Sequence, residues 1–242
     1  VFTNAKSCVN GNWYISGSTT GFNLSLLDNL HANSGVSNGI ALFSGNVHTV
    51  NIQENVWKDN SGWAMNFNNV HGTILGNTIK NTSITGPNWY DDQAGIIIAS
   101  VNNNVTIAHN TFKMLSASAL NFYTAAGGTV SFTNNFATGT LNASPVRIRE
   151  NSDPSGVSVS NNYFNNNSLP DIQNIPAGNL AATCNWYGTA NYATVSTKIT
   201  GNVTFVPYLV SGTDNAPGTP GFQPALGTCI GTPVSALTLT PD

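Results

Sequence analysis

Apolar and polar residues alternate along this chain in short runs, and the runs recur. The stretch NVTIAHNTF at 104–112 sets the phrase: apolar, any, apolar, two of any, then Asn, with a large apolar residue two positions on. VNIQENVW (50–57), GTILGNTI (72–79), VSFTNNF (130–136) and VSVSNNYF (157–164) repeat it. LAATCNWY (180–187), SCVNGNWY (7–14) and LSLLDNLH (24–31) follow it more loosely. The anchoring residues are Asn12, Asn29, Asn55, Asn77, Asn110, Asn135, Asn162 and Asn185, and from Asn29 onward they are separated by 26, 22, 33, 25, 27 and 23 residues. A second alternating phrase lies ahead of successive anchors: NGIALF (38–43), WAMNF (63–67), AGIII (94–98), ALNFY (119–123), PVRIR (145–149) and DIQNI (171–175).

Period-two alternation predicts strands with one face inward and one outward. Each period therefore holds two or three short strands joined by Gly and Asn turns. A single unit of this kind cannot bury its apolar face alone, whereas a stack of such units makes one continuous core. The recurring Asn has a physical use in that stack. A bend between strands leaves backbone groups outside the ladder, and an inward Asn carries both a donor and an acceptor to satisfy them. The expectation is an all-β solenoid of about eight turns over residues 1–210.

Composition agrees with strands and turns rather than helices. Asn occurs 37 times and Gly 23 times, while charged residues make up only 7% of 242 positions. With seven basic residues and a net charge of −3, the chain has no basic stretch to neutralise phosphates, so nucleic acid is not an expected partner. No apolar run reaches the length of a membrane span. Cys8, Cys184 and Cys229 are an odd number without a C-x-x-C spacing; a Cys184–Cys229 bridge would pin the tail to the body, and three unpaired thiols are the alternative. Residues 211–242 are rich in Pro, Gly and Thr, which is linker composition, and VSALTLTPD at the end reads as the start of a further β module of a larger protein.

The repeat resembles the right-handed parallel β-helix family, the pectin-lyase-like fold of pectate lyases, polygalacturonases, phage tailspikes and secreted bacterial surface proteins. NWYGT at 185–189 followed by ITGNVTFVPYL at 199–209 is similar to the closing segment of bacterial members. The resemblance implies a right-handed solenoid and an extracellular or cell-surface, bacterial location. The fold hosts lyases, hydrolases and adhesins alike, so it does not assign an activity.

Candidate chemistry comes from register. Aligning the strand cores Ile40, Ala64, Ile96, Leu120, Val146 and Ile172 stacks Asp59 and Asp91 in consecutive turns with Asp92 beside them. Such carboxylates can bind Ca²⁺ or act as an acid/base pair. They also fit a plain exposed loop, because the 33-residue period contains the insertion NTSITGPNWYDDQ, which carries Trp89 and Tyr90. Arg147 and Arg149 are expected to point outward together one turn from Tyr123, with Met65 and Phe67 outward in the same columns. An Arg pair beside an aromatic can clamp a carboxylated sugar; pairing of Arg149 with Glu150 or Asp153 is the structural alternative. His31, His48, His71 and His109 share no metal-ligand spacing and are expected at the surface. An outward ladder of Thr49/Asn51, His71/Thr73, Asn104/Thr106, Thr129/Ser131 and Gly156/Ser158 makes ice binding a remote alternative.

The expected function is a non-catalytic, secreted or cell-surface module for adhesion or polysaccharide binding through Trp89, Tyr90, Tyr123, Arg147 and Arg149. The alternative is a polysaccharide lyase or glycoside hydrolase acting on an acidic polysaccharide through Asp91, Asp92, Arg147 and Arg149, without a cofactor other than Ca²⁺ held by Asp59, Asp91 and Asp92.

Overall fold

The computed structural model describes residues 2–3, 13–16, 21–32, 39–43, 46–83, 94–100, 102–123 and 128–233. Within them the alternating phrases become strands of a parallel β-solenoid with three walls. The first wall has nine strands, the second six and the third eight, and every strand pairs with its counterpart one turn away. One turn runs from His48–Gln53 on the first wall through Val56–Lys58 on the second to Met65–Asn68 on the third. Because the second wall has six strands, about six turns are complete. The expected eight counted every anchor; Asn12 lies outside the described residues, and after Asn185 the second wall continues only as a bridge from Trp186 to Tyr163.

The corner between the first and second walls repeats with little variation. The residue before each anchor takes a left-handed conformation: Asp28, Glu54, Gly76, His109, Asn134, Asn161 and Cys184 have φ between 53° and 65°. That conformation costs a non-glycine residue roughly 1–2 kcal/mol, and the Asn that follows offsets the cost. The backbone N–H of Asn77 donates to Asn110 Oδ1 at 2.8 Å, and that of Asn110 donates to Asn135 Oδ1 at 2.9 Å. The Nδ2 of Asn110 also donates to Asn135 Oδ1 and to the carbonyls of Ile74 and Ala108. The same pattern runs from Asn29 to Asn185. All seven side chains are buried, so each satisfies backbone groups that water cannot reach.

Inward columns fill the interior. Leu26, Ile52, Ile74, Ile107, Phe132 and Val159 stack in register on the first wall. In the neighbouring column Gly72 takes a place held by Val50 and Val105 in adjacent turns. Its φ is +118°, and a Cβ there would lie 2.0 Å from the Val50 carbonyl oxygen, so no side chain fits. The third wall corrects one register. Met65, not Ala64, pairs with Ile40 and Ile96. WAMNF offers two apolar phases, and the larger Met65 and Phe67 fill the core, both fully buried, leaving Asn66 and Asn68 on the outward phase. Met65 and Phe67 are therefore not surface residues. Nor are two of the histidines. His31 stacks on the buried Trp57 with ring centroids 4.8 Å apart, and His48 lies against Phe22 at 4.2 Å. Burial lowers both imidazole pKa values.

The end of the solenoid is closed by the short helix Tyr192–Thr197, capped by Asn191, whose Oδ1 accepts from Thr194 N–H at 3.0 Å. Tyr192 stacks on Phe205, and Tyr208 and Leu209 are buried, so the last turn does not expose its apolar face.

Two outcomes follow from the buried polar groups. Asn110→Ala removes an acceptor and two donors from the corner at once, and should cost about 4 kcal/mol, a fall in Tm of roughly 10 °C. The outward Asn104→Ala should leave thermal melting nearly unchanged. Asp171, 1% exposed, accepts from Asn167 Nδ2 at 2.8 Å. Burial raises its pKa to about 6, against the opposing pull of Asn167 and Lys198. The folded protein thus holds this proton more tightly than the unfolded chain, and the carboxyl destabilises the fold progressively as pH rises from about 4 to 6. Asp171→Asn should therefore gain stability over the wild type across that window, reaching at most about 3 kcal/mol at neutral pH; melts at pH 4 and pH 7 measure the difference.

Candidate functional site

The residue three places after an anchor points outward on the second wall. In three consecutive turns the phrase there reads NVWK, NTIK and NTFK. The strands Val56–Lys58, Thr78–Thr82 and Thr111–Leu115 pair so that Lys58, Lys80 and Lys113 share one column. Adjacent strands are about 4.8 Å apart, so three of the seven basic residues form a ladder with that repeat. Like charges on directly neighbouring strands repel. Among the described residues none of the three forms an ion pair. The nearest carboxylate in sequence, Asp59, is exposed in the adjoining corner and accepts from Asn81 Nδ2 at 3.0 Å. Outward on the same strands run Val56, Thr78 and Thr111, so two hydroxyls, those of Thr78 and Thr111, stand beside the ladder.

The Arg and Tyr expected to cooperate are brought together on the third wall. Asn121 pairs with Arg147, and the guanidinium of Arg149 lies over the Tyr123 ring, 4.7 Å from its centroid. Tyr123 is 46% exposed. Arg149 is 17% exposed and reaches Glu150 at 3.7 Å. The stacking geometry and the local ion pair thus coexist in one side chain, and the stacked face of Tyr123 is engaged by protein rather than open to a ligand.

Trp89, Tyr90, Asp91 and Asp92 lie outside the described residues. With Met65 as the strand core, Asp59 lies six residues ahead of it, and the stacking expected of Asp59 with Asp91 falls outside the described residues. No group of three His, Cys, Asp or Glu able to hold a metal occurs among the described residues. The outward polar ladder of the first wall forms in the expected register, with Thr49 beside His71, His71 beside Asn104 and Asn104 beside Thr129. Its hydroxyls are partly used by neighbours: Thr73 Oγ1 donates to Asn51 Oδ1, and Thr129 Oγ1 to Asn104 Oδ1.

Residues 211–233, linker-like in composition, follow the body of the solenoid along the Asn corner. Cys184 and Cys229 are disulfide-bonded. Further up, Phe222 is buried against Phe136 and Tyr163, its N–H donates to the Asn134 carbonyl, and Asn134 Nδ2 donates back to its carbonyl. Gly221 passes so close to His109 that a Cβ would lie 2.2 Å from the His109 Cα. The strap thus packs on Phe136 and Tyr163 of the second wall and continues along the corner as far as Gly76 and Glu54.

Comparison with protein-family models, curated proteins and solved structures finds no match to this chain.

The bridge closes 45 residues of chain, which in the loop-entropy model stabilises the fold by about 4 kcal/mol. Cys229→Ser should lower Tm and open residues 211–228 to limited proteolysis while far-UV circular dichroism keeps its β signature. Equal protease resistance in the variant would show that Phe222 holds the strap without the bond.

Proposed function

We propose that this protein is a non-catalytic, secreted or cell-surface module that binds an acidic polysaccharide lying along the solenoid axis. The observation that carries this reading is the ladder of Lys58, Lys80 and Lys113. A parallel solenoid repeats its surface chemistry once per turn, so three ammonium groups in one column match a polymer with a regularly repeated anionic group. The adjacent Thr78 and Thr111 hydroxyls supply hydrogen-bonding partners of the kind that sugar rings use. The pairing of Arg149 with Tyr123 and Glu150 makes that cluster a secondary contact rather than the main site. A nucleic acid fits less well: duplex DNA carries one negative charge per roughly 1.7 Å, and a chain with seven basic residues and a net charge of −3 neutralises few of them. The Cys184–Cys229 bridge supports an oxidising compartment.

Retention on immobilised polygalacturonate and alginate, with dextran and duplex DNA as controls, tests the reading. The wild type should be retained on the acidic polymers, released by moderate salt, and not retained on dextran. Replacing all three ladder lysines by Ala should weaken binding about tenfold or more, since exposed charge contacts contribute about 0.2–1 kcal/mol each. Thermal stability should not fall, because like-charge repulsion is relieved. Unchanged retention of the triple variant, or equal binding to DNA, would overturn the assignment.

A further inference from the structure

The corner column Asp28, Glu54, Gly76, His109, Asn134, Asn161, Cys184 is interrupted once by a residue without a side chain. At Gly76 the interruption leaves a cavity of about 380 Å³, within the range of small-molecule sites. Glu54 flanks it on one side and His109 on the other, Gln53 and Leu75 belong to the first wall, and Thr219, Pro220 and Gln223 of the strap form the opposite side. The Lys column lies across the second wall from this corner, so the cavity is separate from the polymer site.

Its polar groups are unevenly matched. Gln223 Nε2 donates to the Pro220 carbonyl at 2.7 Å and lies 3.2 Å from His109 Nδ1. With its two hydrogens directed to those two acceptors, His109 Nδ1 is the unprotonated nitrogen and Nε2 carries the ring proton. The Glu54 carboxylate supplies acceptors and repels an anionic ligand, His109 Nε2 supplies a donor, and Leu75 and Pro220 offer apolar surface. A carboxylate, a single ring donor and an apolar side describe a site for a compact polyhydroxylated molecule.

We infer that this cavity binds a neutral hexose unit, with hydroxyls donating to the Glu54 carboxylate and one accepting from His109 Nε2. The strap supplies three of the eight lining residues, and the Cys184–Cys229 bond ties its far end to the solenoid.

The structure supplies a selective plug. A Cβ at Gly76 would meet only ordinary contacts, 3.5–3.6 Å from Pro220 and Glu54. Asn already occupies the same left-handed place at Asn134 and Asn161, so Gly76→Asn should fold normally and fill the cavity. Saturation-transfer NMR with glucose, galactose, mannose and N-acetylglucosamine, followed by titration of whichever binds, reads the outcome. At least one should bind the wild type, Gly76→Asn should abolish the signal, and Glu54→Gln should weaken binding about tenfold. The triple lysine-to-Ala variant should bind the sugar as the wild type does, which separates this inference from the polysaccharide reading. No signal from any of the four sugars, or an unchanged signal with Gly76→Asn, would overturn it.

Discussion

Every turn of this solenoid depends on what happens where the chain leaves the first wall for the second. The bend places backbone N–H and carbonyl groups inside a protein with no water to receive them. A column of seven buried Asn side chains meets that demand, and from Asn55 to Asn162 each amide reaches both the next Asn and the backbone of the turn before. Bonds that join consecutive turns in this way make the corner cooperative along the axis. They also fix the register of both walls that meet there, because a one-residue slip would turn every apolar side chain outward.

That constraint has consequences for the surface. Once the corner fixes the register, any residue placed a set distance from Asn is displayed at the same height in every turn. A lysine three places on becomes a ladder, and a glycine one place before becomes a gap in a column of side chains. The strap uses the same corner as its track: Cys229 ties it at Cys184, Phe222 docks beside Asn134, and Pro220 and Gln223 close the cavity over Gly76. The apparent linker composition of 211–233 reflects the close approach this path requires at Gly221, not a lack of packing.

The solenoid could be read from the chain because its signal is local and repeated. Alternation shows which face of a strand is buried, and Asn at one offset shows where the bends fall. The lysine ladder was equally present in NVWK, NTIK and NTFK, yet it becomes visible only when residues are counted forward from each anchor instead of being sought as clusters along the chain. His31 and His48 were harder. Nothing in their spacing separates a surface imidazole from one stacked on Trp57 or Phe22. In WAMNF the two apolar phases are adjacent, and pattern alone could not choose between Ala64 and Met65.

Sequence by itself determined the strands, the Asn corners and the stacking of successive turns, since all of these follow from the period-two pattern and the hydrogen-bonding needs of a buried bend; the number of complete turns, about six, came from the structure. Tertiary structure decided which apolar phase of the third wall fills the core, because that choice is made by the volume left between walls. It also decided that Arg149, which register places one turn from Tyr123, stacks on that ring while pairing with Glu150, and that a segment more than 30 residues beyond the Asn185 corner folds back to His109. The first depends on side-chain rotamers and the second on a strap tied by a disulfide, neither of which leaves a periodic mark on the chain.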